Sequence, residues 1–308
     1  MNEDILFSII TPAYCGAEYL RRLSANLIKV KASYSNFEWI IVDDCSPDQG
    51  ETVREIRKIQ GEGLLSVQAI LLSENYYNSR SIPTAATVAK GSYSIILDQD
   101  DLMEENALVI FSRYIQLHGS KTHFAGICAR CVNLIGEPIG TPLPSAEIYT
   151  NETEIRHRYR IRGEMFQCTR TELIKSYFSQ LNPGNTNGLA WSRIAQKFKY
   201  IYIERAARRY DTTNPNSVSN VRKVRYVSTY AQQQIEYLNY SIGYLLHDPF
   251  NLIRISIHAQ RFSICSARLC GQKPGPAKLG VRLLFALIYP IARVLSYRDQ
   301  QTGLVSCR

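Results

Sequence analysis

The chain has 308 residues, 45% of them hydrophobic and 20% charged, which excludes a disordered chain and leaves room for one sizeable core plus an appendage, or for two domains. Its net charge of +9 is unevenly spread: residues 1–204 carry 21 basic against 23 acidic side chains, and residues 205–308 carry 15 against 4. The last third is therefore expected to face a polyanion, either an anionic membrane surface or nucleic acid.

The acidic start, Met1 to Asp4, lacks the basic and long apolar regions of an export peptide, so the eight cysteines are expected to be thiols in a reducing cytoplasm. Ile5 to Thr11 is a β-branched apolar run that predicts a first strand, stopped by Pro12. Leu20, Leu23, Leu27 and Val30 recur at helical spacing. Glu38 to Val42 predicts a second strand ending in Asp43-Asp44, with turn chemistry in Cys45 to Asp48. Val53, Ile56 and Ile59 predict a helix, Ser66 to Leu72 a strand, and Pro83 to Lys90 a helix stopped by Gly91. Ile95, Ile96 and Leu97 read as a buried strand that finishes in Asp98-Gln99-Asp100-Asp101. This β-α-β-α-β-α-β rhythm implies a mostly parallel sheet with right-handed crossovers. Asp101 with Glu104 also spells a capping box, which gives one of the three acids a structural reading. Cys128 and Cys131 lie in an apolar run, Phe124 to Val132, whose strand spacing points them to opposite faces as structural thiols.

Beyond Ser219 the acids nearly vanish. Tyr226, Tyr230, Ile235, Leu238, Ile242 and Leu246 predict a helix closed by Asp248-Pro249, and Leu252 to Cys270 predicts another with Arg254, Arg261 and Arg268 on one face. Gly271 to Pro276 reads as a linker. The last apolar block, Leu283 to Ala292, is interrupted by Pro290 and expected to be too short for a bilayer span of about 20 residues. Apolar helices flanked by Arg282 and Arg293, with Tyr289 and Tyr297 nearby, suit the plane of an anionic membrane interface; the plainer alternative is a helix pair that packs on the preceding domain.

The ends of the first, second and fourth strands share the edge where open α/β sheets hold ligands. Tyr14, Asp43, Asp44 and the Asp98 cluster are thereby expected to converge on one crevice. An aromatic face with an acid that accepts from a base N–H suits a nucleobase, and adjacent carboxylates suit a divalent cation bridging a diphosphate. No Walker A sequence and no G-x-G-x-x-G follows the first strand, which disfavours P-loop and dinucleotide sites.

Three separated motifs, Phe7 to Tyr14, Trp39 to Asp48, and Ala89-Lys90-Gly91 leading to Leu97-Asp98-Gln99-Asp100-Asp101, resemble those of the family 2 glycosyltransferases, inverting enzymes of the GT-A fold. The resemblance implies that Tyr14 stacks on the base, Asp44 contacts the base, Asp98 lies near the ribose and metal, and Asp100 is the metal-binding acid of a DxD motif. Thr11, Pro12 and Asp43 match positions that shape the pocket, although Asp43 reads equally as a turn residue. Weaker likeness continues through Gly163 to Leu173, Asn187 to Ala195 and Arg209 to Ser219, the later blocks of a bacterial branch. There the block that ends in Trp191 and Arg193 ordinarily begins with an acid, the candidate base. Asn187 stands at that place, and a neutral amide cannot take a proton from an acceptor hydroxyl. Glu164 and Asp211 are the candidate substitutes. Trp191 is either core or sugar platform.

The resemblance implies a GT-A, Rossmann-like domain over residues 1–222 with a basic helical extension over 223–308, possessing an inverting, metal-dependent hexosyltransferase activity. Its donor would be a nucleotide diphosphate sugar, a UDP-sugar first, with Mg or Mn as cofactor and a glycan or lipid-linked acceptor in surface polysaccharide synthesis. The expected location is cytoplasmic, peripheral on the inner face of the plasma membrane. A non-catalytic nucleotide-sugar-binding protein on the same fold is the alternative that Asn187 favours. A nucleic-acid-binding protein has only the basic tail in its support.

Overall fold

A computed structural model of the chain describes residues 6–76, 79–182, 185–213, 224, 226–275 and 277–307. Two compact units emerge: residues 1–151, 161–180 and 197–214 in one, and 152–160, 181–196 and 215–308 in the other. The second unit thus draws two short segments from the part of the chain that the sequence reading gave to a single domain. Residues 222 and 223, where that reading sets its boundary, lie outside the described residues.

The strands are β1 (Phe7–Ala13), β2 (Phe37–Asp43), β3 (Val67–Leu71), β4 (Tyr93–Ile96), β5 (Leu102–Met103), β6 (Phe124–Asn133), β7 (Glu147–Thr150), β8 (Met165–Arg170) and β9 (Lys199–Tyr210). The helices are α1 (Ala17–Ser33), α2 (Glu51–Glu62), α3 (Ser81–Val88), α4 (Ala107–His118), α5 (Glu152–His157), α6 (Thr171–Phe178), α7 (Asn187–Ala195), α8 (Val227–Leu245), α9 (Pro249–Leu269) and α10 (Leu279–Gln301). All the strands, with α1 to α4 and α6, belong to the first unit.

The strands form one sheet in the order β3-β2-β1-β4-β8-β6-β9-β5, with β7 also on β9. The β1-to-β4 part is parallel, as the alternating rhythm predicts, and β8 runs antiparallel to both β4 and β6, so the complete sheet is mixed. The core is built from the inward positions of β1, β2 and β6 and from the helical stripe Leu20, Leu23, Leu27 and Val30 of α1.

Pro12 does not stop β1. The Ile10 carbonyl accepts from Leu97 N–H and the Ala13 carbonyl from Asp44 N–H, so backbone groups of β1 alternate between its two neighbours. The missing N–H of Pro12 therefore falls on the β4 side, beyond the last pairing of Ile10 with Ile96, where no ladder bond is lost. Helix α3 begins at Ser81, earlier than Pro83 suggests, because a proline in a first turn gives up only an N–H that has no helical partner.

Gly91 shows why the turn into β4 needs a glycine. Its N–H donates to Ser8 Oγ at 2.8 Å, Ser8 Oγ donates to Glu38 Oε1 at 2.6 Å, and Lys90 N–H donates to the same oxygen at 2.6 Å. A Cβ at position 91 would stand 2.6 Å from the Ser8 backbone nitrogen.

The second unit is helical among its described residues. Two apolar clusters hold it, one around Val227, Ala231, Phe262, Cys265 and Val305 and the other around Leu238, Leu245, Ala259 and Val281. Two expectations are corrected here. Helix α10 runs 23 residues through Pro290 and is long and apolar enough to cross a membrane by length and composition, not limited to the block between the arginines. Arg282, Arg293 and Pro290 all lie on its exposed side, where charges and a carbonyl freed by proline meet water, so none of them ends the helix. Arg254, Arg261 and Arg268 share one side of α9, as their spacing predicts, and Arg261 there is drawn to Asp299 at 3.1 Å and lies over the Phe262 ring at 4.6 Å. Cys270 and Cys307 form a disulfide, while the other six cysteines, Cys128 and Cys131 among them, are free. The pairing is invisible in sequence because it depends on a return of the chain end, where residues 224 and 305 also pair.

The Gly91→Ala variant is expected to lose about 1 to 3 kcal/mol of stability through backbone overpacking. Gly61→Ala, in α2 with nothing near its added Cβ, is expected to gain about 0.5 to 1 kcal/mol. Urea denaturation of both variants checks the pair.

Candidate functional site

The order β2-β1-β4 sets three motif-bearing strand ends side by side, at spacings of about 4.8 Å. The chain order reverses here: β2 follows β1 on one side and β4 lies on the other, so this edge is a topological switch point. Loops from the three strands interlock. The Gln99 side-chain amide donates to the Tyr14 carbonyl, and its Oε1 accepts from Tyr14 N–H, both at 3.0 Å. Cys15 N–H donates to Ser46 Oγ at 2.8 Å, and Gly16 N–H to Thr52 Oγ1 at 2.9 Å. A Cβ on Gly16 would lie 1.9 Å from Gln99 Oε1, so that position has to be bare for the clamp to close. The clamp leaves Tyr14 43% exposed at the strand end.

Asp43 is buried and accepts from Ser46 N–H at 3.2 Å and from Ser46 Oγ, which is the turn role that its surroundings allowed. Asp44 is also buried, and its Oδ1 accepts from Tyr76 N–H at 3.0 Å. Thr11 accepts from Trp39 Nε1 at 2.9 Å and is part of the sheet interior. Pro12 lies buried in β1, one residue before the strand ends.

The acids after β4 divide by environment. Asp98 is held above the ordinary carboxylate range by burial, which Arg208 opposes and Asp100 and Glu164 reinforce. Asp100 keeps its backbone carbonyl on Arg22. Asp101 is fully buried; it accepts from Asp211 N–H at 2.9 Å and faces Arg208 at 3.5 Å. Burial pushes its carboxyl up to about 7, against Arg208. The capping box is overturned. Glu104 instead donates its N–H to the Ala207 carbonyl and receives Arg209 at 2.8 Å, while Asn106 precedes α4. The short strand β5, which pairs with β9, draws Glu104 away from the helix end.

Arg208 carries no sequence signal and is the principal group that sequence reasoning misses. It is buried on β9, opposite Met103 of β5 and Cys131 of β6, with its guanidinium 4.8 Å from the Tyr210 ring centre and 5.4 Å from that of Phe166. It reaches Glu164 as well as Asp101 at 3.5 Å. Burial disfavours its charge, but Cys131, Asp101, Asp98 and Glu164 outweigh that and hold it protonated.

The two candidate bases differ. Asp211 is buried and accepts from Thr213 N–H at 2.8 Å and Thr213 Oγ1 at 2.6 Å, with Arg22 at 3.4 Å. Burial alone would raise its pKa, yet these partners bring it below the usual range, which makes it a weak base. Glu164 is half exposed, with Arg208 its one ion-pair partner among the described residues. Asn187 heads α7 in the second unit, where Arg193 of the same helix is clamped by Glu236 at 2.6 and 2.9 Å and Trp191 is half buried. Residues 214–219 of the last resembling block lie outside the described residues.

Among the described residues no group of three His, Cys, Asp or Glu side chains is arranged to hold a metal ion alone. Asp98 and Asp100 nevertheless fit one. They stand two residues apart after β4, and Mg²⁺-type ions are ordinarily bound by one or two carboxylates with the rest of the shell from phosphates and water.

The sequence profile of the family described as Glycosyl transferase family 2 matches residues 8–127. The poly(ribitol-phosphate) beta-N-acetylglucosaminyltransferase TarP of Staphylococcus aureus (strain N315) is 35% identical over 103 residues, 33% of this chain and 30% of that relative, so the likeness spans less than a third of the relative's length. The crystal structure of S. aureus TarS 1–349 in complex with UDP-GlcNAc superposes with a TM-score of 0.66 at 14% identity, over 97% of this chain and 90% of the other. The mannosyltransferase PcManGT from Pyrobaculum calidifontis, in complex with GDP-Man and Mn2+, gives 0.53 at 15% identity over 98% and 85%. These likenesses show the fold, which is GT-A with a helical C-terminal region.

Arg208→Met is expected to destabilise the protein by about 3 to 5 kcal/mol, because it strands buried Asp101. Adding Asp101→Asn should recover part of the loss, which a denaturant double-mutant cycle measures.

Proposed function

We propose that this chain, whose residues 8–127 match the Glycosyl transferase family 2 profile, transfers a sugar, with inversion, from a nucleotide diphosphate sugar to a glycan or lipid-linked acceptor of a surface polysaccharide. The observation that supports this reading best is the alignment of Tyr14, Asp44 and the Asp98–Asp100 pair at the ends of adjacent strands, with Gln99 clamping two of those ends together. Tyr14 stacks on the base, Asp44 receives a base N–H, and Asp98 with Asp100 would hold Mg or Mn. Such a cation would supply charge neutralisation to a leaving diphosphate. A UDP-sugar is the first choice of donor, in keeping with the name of the TarP relative and the ligand of the TarS structure. The cytoplasmic face of the plasma membrane is the location that goes with such an acceptor and with the basic last third.

Glu164 is the base of this reading. It is half exposed where Asp211 is buried and fully partnered, so its carboxylate is the more accessible of the two to an acceptor's hydroxyl proton. The second reading, a binding protein without transferase activity, is favoured by Asn187.

Asp100→Ala is expected to abolish metal-dependent UDP binding in calorimetry; binding that stays intact would remove Asp100 from the site. Glu164→Gln should lower turnover by roughly 10²- to 10⁴-fold with donor affinity little changed, and Asp211→Asn should not. Donor binding without transfer to any acceptor, unrelieved by Asn187→Asp, would select the binding protein.

A further inference from the structure

Helix α10 has two opposite faces. Val281, Ile288, Ala292, Ser296 and Asp299 are buried within the second unit, where Asp299 meets Arg261. At 3.6 residues per turn, Leu279, Leu283, Leu287, Val294 and Tyr297 fall on the other side. They are 70%, 61%, 79%, 70% and 60% exposed, in a row about 27 Å long at 1.5 Å per residue. An apolar row of this extent is unusual on a soluble monomer and marks a surface that meets something. Exposed Arg282 and Arg293 border it, and no acid lies on it.

The charge of this unit points to the occupant. Of the acids in the described part of 215–308, Glu236 is held by Arg193, Asp248 lies 3.6 Å from His157, and Asp299 binds Arg261. The acids are used internally, and the surplus of cations is left at the surface. We infer that the outer face of α10 docks in the plane of an anionic lipid interface, its leucines entering the acyl boundary and Arg282 and Arg293 meeting headgroup phosphates. A span across the bilayer would require the opposite face, with its Asp299–Arg261 pair, to leave its packing. An antiparallel two-fold pairing of this face with a second copy would bring the arginine borders of both copies together. This inference rests on the membrane location in the proposed function, but not on transfer chemistry.

The test uses the full chain without donor or acceptor, and phosphatidylcholine vesicles with and without phosphatidylglycerol. Flotation should show binding to the anionic vesicles that weakens with salt. Leu283→Glu with Leu287→Glu should cut it by more than about ten-fold, and Arg282→Glu with Arg293→Glu should also lower it. Because these side chains are exposed, thermal unfolding should stay unchanged. Should the leucine variant unfold, Val294→Trp supplies an independent readout, with emission expected to shift to the blue on anionic vesicles. Unchanged binding in both charge-reversed variants, no binding by the parent chain, tight binding to RNA in place of vesicles, or a concentration-dependent oligomer that the leucine changes convert to monomer would each overturn the inference. Metal-dependent UDP binding, measured in parallel, reports on the transferase reading separately.

Discussion

The acidic edge of the sheet depends on a buried guanidinium. Burial raises the pKa values of Asp98 and Asp101, and the neighbouring carboxylates add to it: Asp100 and Glu164 for Asp98, Asp98 and Asp100 for Asp101. Arg208 offsets that repulsion from inside the fold, with ion pairs to Asp101 and Glu164 and two aromatic rings against its plane. Its place is secured by β9, whose neighbours β6 and β5 carry it between them. The acids differ in environment. Asp101 is tied to the Asp211 backbone and to Arg208, a framework role, while Asp98 and Asp100 lie nearer the end of β4.

Around this cluster the loops are fixed to one another more than to their own strands. Gln99 spans from the β4 loop to the backbone of Tyr14, Ser46 from the β2 loop to Cys15, and Asp44 to Tyr76 beyond β3. Three side chains at this edge, Cys15, Cys45 and Gln49, sit in the left-handed region with φ of 47°, 58° and 56°. Non-glycine residues there cost free energy, and such strain persists only where the surroundings over-determine the backbone. Interlocked loops of this kind hold a binding surface in shape before the ligand arrives, which reduces the entropy lost on association.

The second unit follows different physics. Its clusters are small, and part-buried polar pairs join its elements: His157 Nε2 lies 2.6 Å from Tyr237 Oη, Thr186 exchanges hydrogen bonds with Gln233, and Arg193 is clamped by Glu236. Each acid kept inside removes one negative charge from the surface. A basic exterior therefore results from how the few acids are placed as well as from their scarcity.

The sequence by itself determined the parallel half of the sheet, because β-branched runs, helical stripes and their stop signals lie within a few residues of one another. The same locality exposed Tyr14, Asp44, Asp98 and Asp100, each at the end of such a run. Elements past Met103 were less legible: β8 and β9 are antiparallel and parallel partners chosen by distant strands, and α5 and α7 leave the sheet's unit altogether. Pro12 read as a stop because sequence does not show which side of a strand loses its neighbour. Asp101 and Glu104 read as a cap because their spacing was right, yet β5 and β9 claimed both. Arg208 and the Cys270–Cys307 bridge were decided only by the tertiary structure. Ion pairs and disulfides join atoms brought near by chain closure over many residues, and neither the spacing nor the composition of one segment records where the other will come to rest.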